Sequence, residues 1–429
     1  MAESFHSVAI VGAGVSGLYA AHLLRARFPD VVLLEAQNRI GGRIKQVHGF
    51  APWPVEVGPE FVHGRNSTFV RLAESAMGVQ LREKDWPDFW HFGAEGGAGG
   101  QGLVADANVD DEVAKVHDLF GNCDEEPLPP PGRDVSAVDW MRSKGCSQRQ
   151  MAIADACYAN DFCCSLRHLG LREMILENRG WDSGETYLLM DRSLGEVIQH
   201  LAKGADVRTN WAVQSIEYGG PAAAQQQQGG VTIRAVDGRV VRCRAVVVTV
   251  ALPILQQNLI TFSPPLPPAK TAALSRLRMG NVVKLLLSFS SRFWPEDMYD
   301  VLCPGAFVPE FWMLRYPETN PGVGTPFCIV GFIAGERADE ASAIASAPAS
   351  PATAPHPLEP FVRGAYTYPT LGAEVGDRGA LAAPVAGRVF FAGEATQEAA
   401  NPCIQGAMET AERAAAQVGA ALEPARSKM

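Results

Sequence analysis

The sequence predicts an α/β fold built around a Rossmann-like βαβ unit at the start of the chain, and three observations predict it. A short apolar strand, Val8-Ala-Ile-Val11, runs into the glycine turn Gly12-Ala-Gly14-Val-Ser-Gly17. An amphipathic stretch from Val15 to Ala26 follows, with Leu18, Leu23 and Leu24 on its inward face. A second apolar run, Val31-Val-Leu-Leu34, then ends on Glu35.

Each element has a physical role. Gly12 permits the tight turn, Gly14 lets a pyrophosphate approach the backbone, and Gly17 lets the helix pack closely on its strands. Ser16 lies in the same turn and joins the binding candidates. The helix aims its first amides and positive dipole end at the phosphates. Glu35, 18 residues past Gly17, can accept hydrogen bonds from ribose hydroxyls. The chain carries its own control. Gly97-Ala-Gly99-Gly-Gln-Gly102 fits the same glycine pattern, but no strand precedes it and no amphipathic helix follows, so it is expected to be a flexible loop. The first turn alone fits NAD or FAD.

With 429 residues, 47% of them hydrophobic, the chain can bury two sizeable cores. A net charge of −10 argues against nucleic acid as a main ligand and is compatible with cationic small molecules. The longest apolar run, Ala245 to Leu255, contains Thr249 and Pro253 and is too short to span a bilayer. The opening residues lack the basic and apolar regions of a secretory signal. Nine cysteines with no C-x-x-C point to a reducing compartment and away from a metal site. The last residues, Ser427-Lys428-Met429, are one apolar substitution from the Ser-Lys-Leu address, so a peroxisomal location is expected, with a cytoplasmic one as the alternative.

Four low-complexity stretches are expected to be exposed loops: residues 93–102, Pro127 to Pro131, Pro221 to Gln228, and Ala338 to Pro357. Between them, helical patterns cover 148–178, with Met151, Ile153, Ala156 and Cys157 on one side, and 194–202. Strand patterns cover Val207 to Ile216, Val231 to Val241, Ala245 to Val250, Asn281 to Phe289 and Arg388 to Ala392. Gly406 to Leu422 is an alanine-rich helix. Phe390-Phe-Ala-Gly393-Glu394-Ala-Thr396 is a second strand, glycine and acid. Alone, it fits an ordinary turn closing an α/β sheet.

Several motifs together carry a family resemblance. They are Ile40-Gly41-Gly42-Arg43, Glu56-Val-Gly58-Pro59-Glu-Phe-Val-His63-Gly64, Val247-Val-Thr249-Val-Ala-Leu252, and Gly280-Asn-Val-Val-Lys284 with Phe293-Trp294. Arg363-Gly-Ala-Tyr366-Thr-Tyr368 and Phe391-Ala-Gly-Glu394-Ala-Thr396 complete the set. In this order the chain resembles the flavin-containing amine oxidases, which include polyamine oxidases, monoamine oxidases and histone lysine demethylases, and it looks most similar to the polyamine oxidase branch. A demethylase role is disfavoured because no added chromatin-binding or helical tower segment is visible.

The resemblance implies an FAD domain assembled from residues 1–70, 194–270 and 363–429, and an α+β substrate domain from 71–193 and 271–362, with 338–357 as a linker. It assigns Glu35 to ribose, Arg43, Gly42 and the turn glycines to pyrophosphate, and the Val213 backbone to adenine. Gly58 and Pro59 would lie near the flavin, Glu394 would bind the ribityl chain or pyrophosphate, and Gly406 and Ala407 would place a helix start at the isoalloxazine carbonyl. Ala365 stands where monoamine oxidases carry the flavin-linking cysteine, so FAD is expected to be non-covalent.

The implied reaction passes a hydride from the carbon beside nitrogen to flavin N5. The imine is then hydrolysed, and dioxygen takes up the electrons as peroxide. The small-molecule amine must react neutral, so the site must favour its deprotonation. Lys284 is the expected catalytic residue, Tyr366 one wall of an aromatic cage with Cys403 opposite, and His63 lies near the substrate entrance. One departure is large: only 27 residues, rich in Ala, Ser and Pro, separate Gly335 from Arg363, where relatives carry two helices and a basic strand. Two alternatives therefore stand beside polyamine oxidation. One is an L-amino-acid oxidase or desaturase, the former with Arg315 as carboxylate clamp. The other is a flavoprotein impaired by the deletion.

Overall fold

The computed structural model describes residues 4–84, 86–93, 102–184, 186–219, 230–314, 327–345, 359–398 and 403–423. The bulk of the 93–102 and 338–357 stretches, residues 221–228, Arg315 and Ser427-Lys428-Met429 lie outside them.

The opening unit folds as its glycines and apolar runs dictate. Ser4–Val11 pairs in parallel with Val31–Leu34, joined by the helix Val15–Arg25. Gly12 adopts φ +105°, and a Cβ on Gly17 would fall 2.0 Å from the Gly12 carbonyl oxygen, so helix and turn touch backbone to backbone. Leu18 and Leu24 are buried, and Leu23 is partly so.

This unit is the centre of an eight-stranded sheet. Its spatial order is Asp206–Arg208, Val31–Leu34, Ser4–Val11, Val240–Val248, Val231–Ala235, Val213–Glu217 and Thr261–Ser263, with Val389–Phe391 also pairing with Val240–Val248. Parallel register sets Val8 beside Ala245 and Val11 beside Val248. One face is covered by the helices Val15–Arg25, Leu194–Ala202 and Ile404–Leu422, which share a core with the sheet.

A second, six-stranded sheet runs in the order Val282–Phe289, Phe327–Ala334, Glu310–Leu314, Asp300–Leu302, Phe89–His91 and Leu103–Ala105. It is antiparallel apart from the pairing of Asp300–Leu302 with Phe89–His91.

Several expected boundaries shift, each for a visible reason. The Val207 to Ile216 strand is two strands, because Asn210 takes φ +52° and turns the chain between partners on different sides of the sheet. Val231 to Val241 spans a hairpin turn, and Val240–Val248 absorbs most of the Ala245 to Val250 run, leaving Thr249 and Val250 beyond its end. The 148–178 region breaks into Gln148–Ala154, a π-helical turn at Asp155–Ala159, and Leu171–Gly180. The last helix begins at Ile404 with Cys403 as its N-cap residue, earlier than the expected Gly406.

Two stretches expected as exposed loops are more than that. Residues 336–345 form a helix, Glu336–Ala345, consistent with the helix propensity of alanine, and Ala338 packs against Val283 and Ile333. The proline stretch is a loop, but its Pro129 and Pro130 carbonyls accept hydrogen bonds from the buried Arg172 guanidinium.

Adding a single methyl at the turn contact tests the packing. Gly17→Ala is expected to lower the stability of the cofactor-free protein by about 1–3 kcal/mol through overpacking. Thermal denaturation measures this, and unchanged melting would mean that the turn can yield.

Candidate active site

The two sheets face a common cavity of about 510 Å³. Its walls come from the opening turn, the loop after Val31–Leu34, the ends of the second-sheet strands and the start of the last helix.

At one end the lining is a cradle for a dinucleotide. Gly12, Gly14 and Ser16 line it, and Gly14 caps the helix with extended backbone and no side-chain cap, so the first amides remain open to an anion. The Ser16 hydroxyl is buried with no hydrogen-bond partner. Glu35 is fixed by accepting from the Ala13 amide at 2.7 Å and the Gln37 amide at 2.8 Å. Burial raises its carboxyl above the ordinary value. Gly42 has φ +58°, and a Cβ there would come within 3.1 Å of the Gly14 Cα, narrowing the cradle. Val213 lines the wall beside Trp211 and Ala212. These features fit a bound adenine dinucleotide: open amides and an unsatisfied hydroxyl at the phosphate end, a fixed carboxylate at the ribose end.

Arg43 and Glu394 meet in the middle of the cavity. Arg43 Nη1 donates to Glu394 Oε1 and to the Ala365 carbonyl, both at 2.8 Å. Glu394 thus holds the arginine that the sequence reading placed on pyrophosphate. Gly58 and Pro59 line the same region, and a Cβ on Gly58 would fall 1.9 Å from the Arg43 carbonyl oxygen. Cys403, Ile404 and Ala407 reach the cavity from the last helix, whereas Gly17 and Gly406 are buried behind its wall.

The other end is aromatic and acidic. Strand alternation decides which side chains face it. On Val282–Phe289, Val282 and Lys284 point to the cavity, while Val283 and Leu285 pack toward Glu336–Ala345. On Glu310–Leu314, Glu310 and Trp312 point inward, and Phe311 and Met313 join a separate core. Register places Lys284 opposite Phe332, and Phe332 opposite Glu310, so one row across three strands carries a cation, a ring and an acid.

Lys284 is buried as expected. Its Nζ lies 3.2 Å from Glu60 Oε2 and 3.3 Å from the Glu56 carbonyl oxygen, and 5.0 Å from the centre of the Trp312 ring. Trp312 Nε1 donates to the same Glu60 oxygen at 3.0 Å, so Glu60 is already compensated. Tyr366 lines the cavity with its hydroxyl donating to the Asp161 carbonyl at 2.6 Å. His63 packs edge-on to Tyr187 with ring centres 4.8 Å apart, and burial lowers its pKa to about 4, so it is a neutral ring. Burial raises the Cys403 thiol to about 12.

Two acids escaped the sequence reading. Asp161 lines the cavity and follows the π-helical turn, and burial raises its carboxyl to about 6. Glu310 is raised to about 8, first by burial and then by the charge of Asp161. Glu310 accepts from Trp86 Nε1 at 3.0 Å and from Asn160 Nδ2 at 3.4 Å, both neutral donors. The signal was present in the chain as an acid flanked by Phe311-Trp-Met-Leu314, the same apolar setting that marked Lys284.

Comparison with known proteins agrees with the cradle. Residues 147–419 match the model for flavin containing amine oxidoreductases, and residues 10–75 match an NAD(P)-binding Rossmann-like domain. Polyamine oxidase 6 of Oryza sativa subsp. japonica is 27% identical over 448 residues, covering 93% of this chain and 88% of its own length. Lysine-specific histone demethylase 1B of Mus musculus is also 27% identical, but the chain spans only 53% of it. Among solved structures, cyclohexylamine oxidase from Brevibacterium oxydans IH-35A shares the fold with a TM-score of 0.78 at 21% identity, covering 98% of this chain and 100% of that one. Putrescine oxidase bound to putrescine gives a TM-score of 0.77 at 20% identity with the same coverage. The chain therefore belongs to the flavin containing amine oxidoreductase family and is an FAD-dependent amine oxidase.

Proposed function

We propose that the chain oxidises polyamines. The observation that carries this reading is the pair Asp161 and Glu310, a half-buried and a buried carboxyl with no basic partner among the described residues, in an aromatic-walled cavity. A substrate with a second ammonium supplies the missing charge, and a monoamine does not. FAD, when bound, supplies the hydride acceptor and passes two electrons to dioxygen, so that a secondary amine, water and O2 become an aldehyde, a shorter amine and H2O2.

The chain's own residues prepare the substrate. Phe61, Trp312 and Phe332 exclude water, which favours the neutral amine at the reacting nitrogen, while Asp161 and Glu310 hold the distant nitrogen as its ammonium. Tyr366 offers a ring face to the approaching cation, with the smaller Cys403 lining the same cavity. Lys284 has three N–H donors, of which Glu60 and the Glu56 carbonyl take two, leaving one for a water in the cavity.

An amino-acid oxidase would need a free guanidinium for the substrate carboxylate. Among the described residues, Arg43 is held by Glu394 and Arg363 by Gln257, Arg315 lies outside them, and the acids at the aromatic end offer a carboxylate no counter-charge.

Anaerobic reduction with spermine, spermidine, N-acetylated polyamines, monoamines and amino acids tests the substrate class. Flavin bleaching by polyamines is expected, and bound flavin that no amine reduces would instead favour an impaired enzyme. Asp161→Asn and Glu310→Gln are each expected to raise the KM for spermine about tenfold, the scale of one hydrogen bond to a charged group, with a smaller effect on a monoamine. Equal effects on both substrates would remove the assignment. Lys284→Met is expected to slow turnover at least about tenfold while flavin content is retained, as expected for a group within hydrogen-bond reach of the reacting region. Unchanged steady-state kinetics would end its catalytic role.

The same acids make stability depend on pH. Their folded values of about 6 and about 8 exceed the ordinary 3.8 and 4.5, so each favours the fold as a neutral acid. That contribution is complete below the ordinary values and is lost as pH rises through the folded ones. Between pH ~5 and ~8.5 the melting temperature is expected to fall less in Glu310→Gln than in the parent, and spermine is expected to recover the parent's loss at the upper end. Scanning fluorimetry across that range measures both.

A further inference from the structure

A buried chain of polar contacts leads away from the cofactor cradle into the protein. Arg43 is held by Glu394 Oε1, and the other carboxylate oxygen, Oε2, accepts from the Thr367 hydroxyl at 2.7 Å. Thr367 in turn accepts from Arg378 Nη1 at 3.1 Å. Arg378 Nε donates to Glu173 Oε1 at 2.8 Å, and Glu173 Oε2 accepts from the Thr370 amide at 2.7 Å. Thr367 is fully buried, and Glu394, Glu173 and Arg378 are each at most 9% exposed.

Chemistry fixes the direction of these bonds. A guanidinium only donates, so the Thr367 oxygen must accept from Arg378 and its single proton must go to Glu394. The hydroxyl is therefore locked as a one-way link between a buried cation and the carboxylate that grips Arg43. Without it, Glu394 Oε2 would lose the hydrogen bond it accepts from Thr367, the one given to that oxygen by the described residues. A buried carboxylate left short of a donor shifts toward its remaining partner. That shift alters how Arg43 is presented to a bound anion.

We propose that Thr367, backed by Arg378 and Glu173, is a positioning residue for the cofactor: it keeps Glu394 oriented so that Arg43 faces the pyrophosphate region of the cradle. The inference rests on FAD occupying that cradle and is independent of which amine is oxidised. It predicts that the effect of Thr367 on FAD passes through Glu394.

The test is a double-mutant cycle read by FAD affinity. Thr367→Val keeps the shape and removes the proton, Thr367→Ser restores it, and Glu394→Gln removes the charge that Thr367 serves. FAD binding to the cofactor-stripped proteins is followed by flavin fluorescence, with their melting temperatures measured alongside. Thr367→Val is expected to weaken FAD binding about tenfold, the value of one hydrogen bond to a charged group, and Thr367→Ser to recover most of it. In the Glu394→Gln background, Thr367→Val is expected to change FAD affinity less than twofold, the signature of two groups acting as one unit. Additive effects in the two backgrounds, or a lower melting temperature with unchanged FAD affinity, would overturn the proposal by assigning Thr367 to packing alone. Failure of the parent chain to bind FAD would overturn the cofactor assignment itself and is read from the first titration.

Discussion

The pairing of Ser4–Val11 with Val240–Val248 is the constraint on which the cavity depends. It joins segments more than 200 residues apart and places Thr249 directly over the glycine turn. There the Thr249 hydroxyl donates to the Val11 carbonyl at 2.9 Å, and a Cβ on Gly12 would come within 2.7 Å of that hydroxyl oxygen. The same strand pairs on from Val246 to Val389, which delivers Gly393 and Glu394 to Arg43. A one-residue slip in this register would turn every side chain of the strand to the opposite face. Phosphate cradle and arginine clamp would then lose alignment together.

The aromatic end obeys a different constraint, that of charge in a dry place. Lys284 and Glu60 neutralise one another, and Arg43 and Glu394 do the same. Asp161 and Glu310 break the pattern: burial raises both carboxyls, and the charge of Asp161 raises Glu310 further. A fold carries such a pair at a cost, because each ionised carboxylate loses hydration without gaining a counter-ion. The cost falls at the end of the cavity remote from the cradle, where a ligand can offset it.

Much of the fold was legible because local rules and tertiary packing agree at its centre. The βαβ unit, the helix Leu194–Ala202 and the strand Val282–Phe289 all carry periodicities that match their burial. Legibility failed where one residue redirects the chain, as Asn210 does, or where composition hides a packed face, as in the Ala-rich helix that seats Ala338. At the site, residues in contiguous motifs were found: Glu35, Arg43 and Lys284 all line the cavity. Asp161, Glu310 and Trp312 were not, because only the stacking of separate strands and a helical turn brings them together. Gly406 was placed at the wall by motif, but helical geometry turns Cys403, Ile404 and Ala407 inward instead.

The late position of the strand Val389–Phe391 and the helix Ile404–Leu422 bears on how the protein is made. The first helix packs on that last helix, and the cradle is walled by Gly393, Glu394 and Ala407. During synthesis the opening βαβ unit is made long before either the helix Leu194–Ala202 or the helix Ile404–Leu422 that cover it. Contacts of such long sequence separation form slowly and leave surface exposed meanwhile. Cofactor capture is therefore a late event in biogenesis, and free flavin present when the last helix docks would draw the newborn chain toward its completed state by mass action.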